Sequence, residues 1–316
     1  MSTTAIILAA GKGTRMKSDL PKVLHHVCGR PMLAHVMDAC RQAGCDRLIV
    51  VVGFGADLVK AAFADAADVT WVEQTEQLGT GHAVMVCAEH LEGLDGPVLV
   101  VAGDGPLVRG ETLGELLDAH AGAGAACTLA TCILDDPKAY GRILRDDAGE
   151  LVGIVEYLDA TEAQRAIGEV NVSLYGYDAA GLREVLGKLS NDNAKGEYYL
   201  TDTLGLLRAD GHRLAAVPAV PPEDVLSVND RVQLAQVNAL MQRRTRDRLM
   251  VAGVTIEQPA TVWLDPRVEI GPDTVIRPHT VLDGPCRIGR RCVIGPFAHL
   301  TGDTIGDNTI VERSDG

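Results

Sequence analysis

The feature that most constrains the fold is a six-residue repeat in the last quarter of the sequence. An aliphatic side chain recurs every six positions, and a small or β-branched side chain follows each one four residues later. The aliphatic positions are Leu264, Ile270, Ile276, Leu282, Ile288, Ile294 and Leu300, and the small positions are Val268, Thr274, Thr280, Cys286, Cys292, Ala298 and Thr304. A hexapeptide period predicts a β-helix of stacked short strands. The phase slips by one residue at Ile305-Gly306, and the repeat covers only a few coils.

The first 120 residues follow a different pattern, in which strands and helices alternate. The predicted strands are 4–9, 47–52, 69–72 and 97–102, and the predicted helices are 31–43, 56–66, 81–91 and 112–121. This alternation predicts a mostly parallel sheet covered by helices, with ligands at the carboxyl ends of the strands. Further strands are expected at 127–134, 151–157, 169–177 and 213–217, and a connecting amphipathic helix at 230–250.

Composition narrows the function classes. The net charge of -14 argues against a nucleic-acid duplex as partner, and 3% aromatic residues argue against a single-strand stacking platform. The arginine run at 243–246 is interpreted as a solvated face. The eight cysteines lie mostly in apolar segments without a CxxC pair, which favours small buried hydrophobes. No targeting signal or bilayer-length apolar run is visible, so we expect a cytoplasmic protein with no membrane partner.

The loop after the first strand, LAAGKGTRM at residues 8–16, has the composition of an anion site. Gly11 and Gly13 permit backbone angles that other residues avoid, and Arg15 and Lys22 bring positive charge. A tight turn that needs glycine only for its shape explains the two glycines equally well.

Other polar stretches stand out against apolar surroundings. Asp104 follows the apolar strand 97–102, where it could hold a metal or cap a helix. The segment 74–82 offers amide side chains and glycines that could read a base or sugar hydroxyls. Each stretch has a structural alternative, namely a cap, a turn or an internal hydrogen bond.

Taken together and in this order, these stretches resemble the bacterial bifunctional family that combines N-acetylglucosamine-1-phosphate uridylyltransferase with glucosamine-1-phosphate acetyltransferase. The matching segments are LAAGKGTRM (8–16), LPKVL (20–24), EQLGTGH (76–82), YGR (140–142), GIVE (153–156), GEYYLTD (196–202) and VNDR (228–231). The opening loop is typical of sugar nucleotidyltransferases in general, whereas EQLGTGH and GEYYLTD are more specific to this family. The likeness extends to about residue 255, and the hexapeptide repeats continue it.

The resemblance implies an α/β fold: a Rossmann-like nucleotidyltransferase domain at 1–229 with a mixed, mostly parallel sheet, a linker helix at 230–252, and a short left-handed hexapeptide β-helix at 253–316. It implies formation of UDP-N-acetylglucosamine and pyrophosphate from UTP and N-acetylglucosamine 1-phosphate, with Mg²⁺ as cofactor. Hexapeptide β-helices in this family associate as trimers, so a homotrimer is one possibility, but the few coils here offer little surface and the oligomeric state stays open. In the family, the acetyltransferase site lies in a longer β-helix, in coils that would fall beyond Gly316, so acetyl transfer is not expected of this chain.

The resemblance also implies a role for individual residues. Catalysis is expected of Arg15, Lys22 and Asp104. Nucleotide contacts are expected from Leu8, Ala9, Ala10, Gly11, Gln74, Gly79 and Thr80. Sugar contacts are expected from Gly103, Gly141, Glu156, Asn171, Glu197 and Thr201. Asp104 and Asn229 would bind Mg²⁺, which suits a carboxylate and an amide oxygen that leave positions for water and phosphate.

Two departures from the family pattern fall in the predicted sugar pocket. The usual Tyr-Gly-Asp triplet is Ala102-Gly103-Asp104, followed by Gly105, and Asn171 is followed by Val172-Ser173 in place of Thr-Gly. Transfer to another sugar 1-phosphate, or from another nucleotide, therefore stays open. So does a non-catalytic nucleotide-sensing scaffold, although the cations and the metal ligands count against it. A Rossmann dehydrogenase is disfavoured, because the first loop lacks GxGxxG spacing.

Overall fold

The computed structural model describes residues 2–312, which form two compact units. The first contains residues 2–25 and Met32–Asp230, and the second contains His26–Pro31 and the chain from Arg231 onward. The sequence did not indicate that the short segment His26–Pro31 belongs with the C-terminal part. The expected β-helix boundary at residue 316 lies outside the described residues.

Eleven strands precede the long helix of the second unit. They are β1 (Thr3–Leu8), β2 (His26–Val27), β3 (Arg30–Pro31), β4 (Cys45–Val52), β5 (Val69–Glu73), β6 (Pro97–Ala102), β7 (Cys127–Ile133), β8 (Arg142–Arg145), β9 (Leu151–Val155), β10 (Glu169–Asp178) and β11 (Leu214–Val217). The helices over the same range are α1 (Met32–Gln42), α2 (Ala56–Ala62), α3 (Thr80–Met85), α4 (Ala88–Leu91), α5 (Gly110–Ala123), α6 (Glu162–Arg165), α7 (Ala179–Leu186) and α8 (Asp202–Ala209).

The sheet of the first unit has the strand order β11-β7-β10-β6-β1-β4-β5, with β8 and β9 attached through β10. Strands β1, β4, β5 and β6 run parallel, as do β7 and β11, whereas β10 pairs antiparallel with both β6 and β7. The prediction of a mixed, mostly parallel sheet is confirmed. Its apolar strands are buried because helices cover them, as the unbroken run Leu48–Val52 in β4 illustrates.

Some elements differ from the sequence prediction. The helix expected at 81–91 is divided into α3 and α4, and β8 was not predicted; α7 and α8 are short helices between the predicted strands, in a region where short helices were expected without bounds. The N-terminus of α7 is capped by Asp178, whose carboxylate accepts a hydrogen bond from the amide of Gly181 at 2.9 Å. All eight cysteines are buried free thiols, as expected. Within residues 2–312, no helix is long and apolar enough to cross a membrane.

The second unit consists of the β2–β3 hairpin, the helix α9 (Arg231–Val251) and a series of very short strands. The strands are β12 (Thr255–Ile256), β13 (Trp263–Leu264), β14 (Glu269–Ile270), β15 (Val275–Ile276), β16 (Val281–Asp283), β17 (Arg287–Ile288), β18 (Val293–Ile294), β19 (His299–Thr301), β20 (Thr304–Ile305) and β21 (Ile310–Val311). They form three parallel stacks, in the orders β12-β15-β18-β21, β13-β16-β19 and β14-β17-β20. The predicted hexapeptide β-helix is confirmed.

The strand register explains both the repeat and its slip. Trp263 pairs with Val281, and Val281 with His299, so one coil is 18 residues, or three hexapeptides. Arg287 pairs with Thr304, one residue short of that spacing, at the predicted slip. The small positions are packed inside; Thr274, for example, is fully buried and satisfies its hydroxyl by donating to the carbonyl of Gly289 at 2.8 Å. Thr304, beyond the last regular coil, is exposed.

Helix α9 differs from a simple amphipathic helix. Val237 and Met241 are buried as predicted, but Val232 is 68% exposed. The buried face also contains Gln242, whose side chain donates to the carbonyl of Leu264 and accepts from its amide. Polar residues can therefore be buried on α9 because they satisfy the backbone of the first coil.

Candidate active site

A cleft of about 450 Å³ opens where the parallel strands β1 and β6 end. Its lining includes most of the predicted site residues: Leu8, Ala9, Ala10, Gly11, Lys22, Gln74, Gly79, Thr80, Asp104, Glu156, Asn171, Glu197 and Thr201. Because parallel strands place their carboxyl ends at one edge, loops far apart in sequence come together there.

The opening loop is fastened to its neighbours by backbone hydrogen bonds. The amide of Ala9 donates to Val51 at 2.8 Å, and the carbonyl of Leu8 accepts from Gly103 at 2.9 Å. Gly13 has a left-handed φ of +61°, and a Cβ there would lie 2.7 Å from the Cβ of Lys22. Gly11 has no such constraint, since no protein atom lies within 4 Å of the Cβ it would gain. The loop therefore needs Gly13 for its shape, whereas Gly11 borders the cleft.

Two positively charged side chains, Lys22 and Arg15, each contact a side-chain oxygen beside this loop. The ammonium of Lys22 forms an ion pair with Asp104, and their side chains are 13% and 22% exposed. Arg15 donates from Nη2 to the Oδ1 of Asn229 at 2.9 Å. The amide of Val228 donates to the carbonyl of Asp104 at 2.9 Å, which brings the segment preceding Asn229 to the end of β6. The predicted metal ligands and the predicted phosphate-binding cations thus lie together.

The segment predicted to read uridine is built around Gln74, which is 4% exposed. Its Nε2 donates to the carbonyl of Gly79 at 3.0 Å and lies 3.1 Å from the Nδ1 of His82. Gly79 has φ +109°, and a Cβ there would be 2.6 Å from the carbonyl oxygen of Tyr198. The hydroxyl of Thr80 accepts from the amide of Leu200 at 3.1 Å. With Nε2 committed to its own loop, Gln74 has Oε1 to offer to a ligand.

Four of the predicted sugar-binding residues also line the cleft, namely Glu156, Asn171, Glu197 and Thr201. The hydroxyl of Thr201 donates to Glu156 at 3.3 Å, and burial raises the pKa of Glu156, opposed by the positive charge of Lys195 and by the Thr201 hydroxyl. Asn171 donates from Nδ2 to the hydroxyl of Tyr175 at 2.8 Å and accepts from the amide of Ser173 at 3.0 Å. This pocket is therefore partly polar and partly dehydrated, which suits a hydroxyl-rich ligand.

Four predicted residues, all described by the structure, lie outside the cleft lining: Arg15, Gly103, Gly141 and Asn229. Arg15 and Asn229 pair with each other, as described above. Gly103 permits the close approach of β1 and β6, since a Cβ there would be 3.0 Å from the carbonyl oxygen of Leu8. The carbonyl of Gly141 accepts from the amide of Asn171 at 2.9 Å.

The sequence assigned no role to Tyr175 and Lys195, which also line the cleft, and singled out Ser173 only as a departure from the family pattern. Ser173 has φ +58° at an irregularity in the pairing of β10 with β7, between Asn171 and Leu174. No local sequence signal marks that irregularity. Lys195 does have one, since it directly precedes the GEYYLTD stretch.

Comparison with known proteins agrees with the geometry. Residues 5–167 match the family model of the MobA-like NTP transferase domain. The chain is similar to the bifunctional protein GlmU of Geobacillus sp. (strain WCH70), at 47% identity over 98% of this chain and 67% of the relative. It is 45% identical to the bifunctional protein GlmU of Heliobacterium modesticaldum, over 98% of this chain and 68% of the relative.

A third relative, the bifunctional protein GlmU of Corynebacterium glutamicum, is 45% identical over 100% of this chain and 66% of its own length. The chain thus spans about two thirds of the length of these relatives. The sequence match to these relatives covers the residues of the cleft, of the sheet and of the hexapeptide coils. The chain therefore belongs to the GlmU family and is an enzyme of the nucleotidyltransferase class.

Proposed function

We propose that this chain transfers the uridylyl group of UTP to N-acetylglucosamine 1-phosphate, forming UDP-N-acetylglucosamine and releasing pyrophosphate. An oxygen of the sugar phosphate forms a bond to the α-phosphorus of UTP, and the bond between that phosphorus and the oxygen bridging to the β-phosphorus breaks. The attacking phosphate is already an anion, so the reaction needs no general base. The protein has to align two anions that repel each other and to stabilise the charge that moves onto pyrophosphate.

The observation that carries this proposal is the pairing of Lys22 with Asp104 in the cleft, and of Arg15 with Asn229 in the segment that is hydrogen-bonded to Asp104. Two cations beside a glycine-containing loop suit a triphosphate. In the proposed complex, Lys22 and Arg15 leave these partners and bind phosphate oxygens. Leu8, Ala9, Ala10 and Gly11 border the nucleotide, Gln74, Gly79 and Thr80 contact uridine, and Gly103, Gly141, Glu156, Asn171, Glu197 and Thr201 form the sugar side.

The donor set at this end of the cleft fits Mg²⁺. Among the described residues, no group of three or more His, Cys, Asp or Glu side chains comes together as a metal site. A site made of the carboxylate of Asp104 and the amide oxygen of Asn229 has two hard oxygen donors, and Mg²⁺ commonly retains water and takes phosphate oxygens as its other ligands. We propose these two residues as the ligands. When bound, the metal supplies positive charge to the phosphates.

Pyrophosphate release from UTP and N-acetylglucosamine 1-phosphate, measured with and without Mg²⁺, tests the proposal. We expect metal-dependent release in the wild-type protein and its loss in Asp104→Asn. Asp118→Asn is the matched control, because Asp118 is an exposed aspartate on α5. Release that is independent of metal, or an Asp104→Asn variant as active as the control, would contradict the assignment.

The same chemistry on another sugar 1-phosphate is the second candidate, favoured by one observation. Ala102 lies on the cleft lining with Ser173, where the family pattern has larger or different residues. Varying the sugar 1-phosphate and the nucleoside triphosphate in turn separates the candidates. Nucleotide binding without turnover on any sugar phosphate would support a sensing scaffold instead.

We further propose that residues 1–229, 230–252 and 253–316 act as the transferase domain, the linker helix and the β-helix. We also propose that the β-helix mediates a homotrimer, as the family resemblance implies. Light scattering of the purified protein measures the mass in solution, and a monomeric mass would rule the trimer out. Because UTP is a cytoplasmic metabolite, the proposed reaction takes place in the cytoplasm.

A further inference from the structure

An ion pair beyond the cleft connects the two segments that carry the proposed metal ligands. Arg109 lies five residues after Asp104 and directly precedes helix α5. Its Nε donates to the carboxylate of Asp224 at 2.5 Å, and its Nη2 is 3.9 Å from Glu223. The Asp224 side chain is 3% exposed and the Arg109 side chain 33% exposed, so the carboxylate is shielded from water while the guanidinium is partly solvated.

Asp224 in turn lies five residues before Asn229. It ends the short 3-10 helix Pro222–Asp224, and two further hydrogen bonds fasten the chain that follows. The hydroxyl of Tyr140 donates to the carbonyl of Val225 at 3.2 Å, and the amide of Val228 donates to the carbonyl of Asp104 at 2.9 Å. These bonds attach the segment 222–229 to the loop after β6, through Asp104, and to the residue Tyr140 before β8.

Part of the space between these segments is not filled by side chains. A second cavity of about 90 Å³ lies there, lined by Asp104, Arg109, Tyr140, Asp224 and Ser227 among others. A cavity of that size has room for water. Val225 and Val228 of the segment are buried, so packing holds its apolar side, and the ion pair and the hydrogen bonds hold its polar side.

We propose that Arg109 is a positioning residue, which through Asp224 sets the separation between the oxygen donors of Asp104 and Asn229. The inference rests on the proposed function, because it takes those two residues as the metal ligands. Arg109 touches neither substrate nor metal in this scheme. Its guanidinium holds the Asp224 carboxylate, and the short chain from Asp224 to Asn229 transmits that position to the amide oxygen.

Loss of the ion pair between Arg109 and Asp224 should weaken metal binding more than it slows the chemical step. Residues that orient metal ligands change metal affinity by about 10- to 100-fold when they are replaced. For Arg109→Met we expect the concentration of Mg²⁺ at half-maximal activity to rise by about 10-fold. At saturating Mg²⁺, kcat should return to within about three-fold of the wild-type value, because the reacting groups themselves are intact.

The experiment has two readouts on the 316-residue chain. The first is pyrophosphate release as a function of Mg²⁺ concentration. The second is direct binding of Mn²⁺, followed by electron paramagnetic resonance with UTP present and the sugar phosphate absent, which requires no turnover. Arg109→Lys keeps the positive charge and should restore part of the affinity.

Arg41→Met is the matched control. Arg41 forms a comparable ion pair with Asp68, and both arginine side chains are about one third exposed, at 36% and 33%. Removing it should cost less stability, because Asp68 is 34% exposed whereas Asp224 is 3% exposed, and it should change neither the Mg²⁺ dependence of activity nor Mn²⁺ binding. If Arg109→Met does not fold, Tyr140→Phe removes another hydrogen bond to the same segment without a change of charge. It should raise the concentration of Mg²⁺ at half-maximal activity and weaken Mn²⁺ binding, in the same direction as Arg109→Met but by a smaller factor.

The outcomes separate the two proposals. Metal curves that coincide for wild type, Arg109→Met and Tyr140→Phe would overturn the positioning role, even in a fully active enzyme. A lowered kcat with an unchanged metal midpoint would also overturn it. Wild-type protein that binds Mn²⁺ but releases no pyrophosphate would contradict the proposed function, while the binding curves would still test Arg109.

Discussion

Lys22→Met removes one positive charge from the cleft while it keeps most of the side-chain volume. Lys22 and Asp104 are only 13% and 22% exposed, so water compensates poorly for the missing charge. A preorganised group that stabilises developing charge is worth about 2.7–4 kcal/mol, which corresponds to a loss of about 10²- to 10³-fold in kcat. We therefore expect pyrophosphate release at saturating substrates to fall by that factor.

The fold should survive the substitution. Breaking a fully buried ion pair costs about 3–5 kcal/mol, and this partly exposed pair should cost about 1–2 kcal/mol of unfolding free energy, measured by urea denaturation. Binding of Mn²⁺ should not weaken, because Asp104 loses the cation that occupies it. Metal binding and turnover should therefore respond in different ways to the same substitution.

Lys12→Met is the matched control for this experiment. Lys12 belongs to the same opening loop, but its Nζ lies over the ring of Phe54, 5.4 Å from the centroid. We expect its turnover to stay close to that of the wild type. An activity of Lys22→Met within about three-fold of the wild type, or an equal loss in Lys12→Met, would refute the role of Lys22.

Other substitutions test the loop, the sugar pocket and the β-helix. Gly13→Ala places a side chain at φ +61° against Lys22 and should lower the unfolding free energy by about 1–3 kcal/mol. Gly11→Ala meets no protein atom and should leave the melting temperature unchanged, but it should raise KM for UTP. Burial raises the pKa of Glu156 above its ordinary 4.5, so the unfolding free energy of the wild type should fall as pH rises from about 4.5 through that raised pKa. Glu156→Gln should abolish this fall, measured by urea denaturation at several pH values. The same substitution should raise KM for the sugar phosphate. Ile276→Ala empties a fully buried position of the second unit and should cost about 2–5 kcal/mol, seen by calorimetry as a lower melting temperature.

The spacing of apolar residues along the sequence determined much of the architecture, because a helix, a strand and a hexapeptide coil each bury side chains at a different period. The predicted strand 97–102 coincides with β6, and the hexapeptide period predicted the stacked short strands and the slip at Ile305-Gly306. A six-residue repeat has few alternatives, since any other register would expose the aliphatic positions. Short or interrupted elements were less predictable. The strand β8 has four residues, too few for a period to emerge.

The sequence also identified most of the residues that line the cleft, through motifs whose order matches a known family. What only the tertiary structure decided is which of these side chains touch each other. Lys22 meets Asp104 across 82 positions and Arg15 meets Asn229 across 214, and no local pattern encodes such a pair. The ion pair of Arg109 with Asp224 joins residues 115 positions apart in the sequence and was not predicted at all. The physical reason is that periodicity records whether a residue is buried, whereas pairing depends on how separate strands and loops meet at one edge of the sheet.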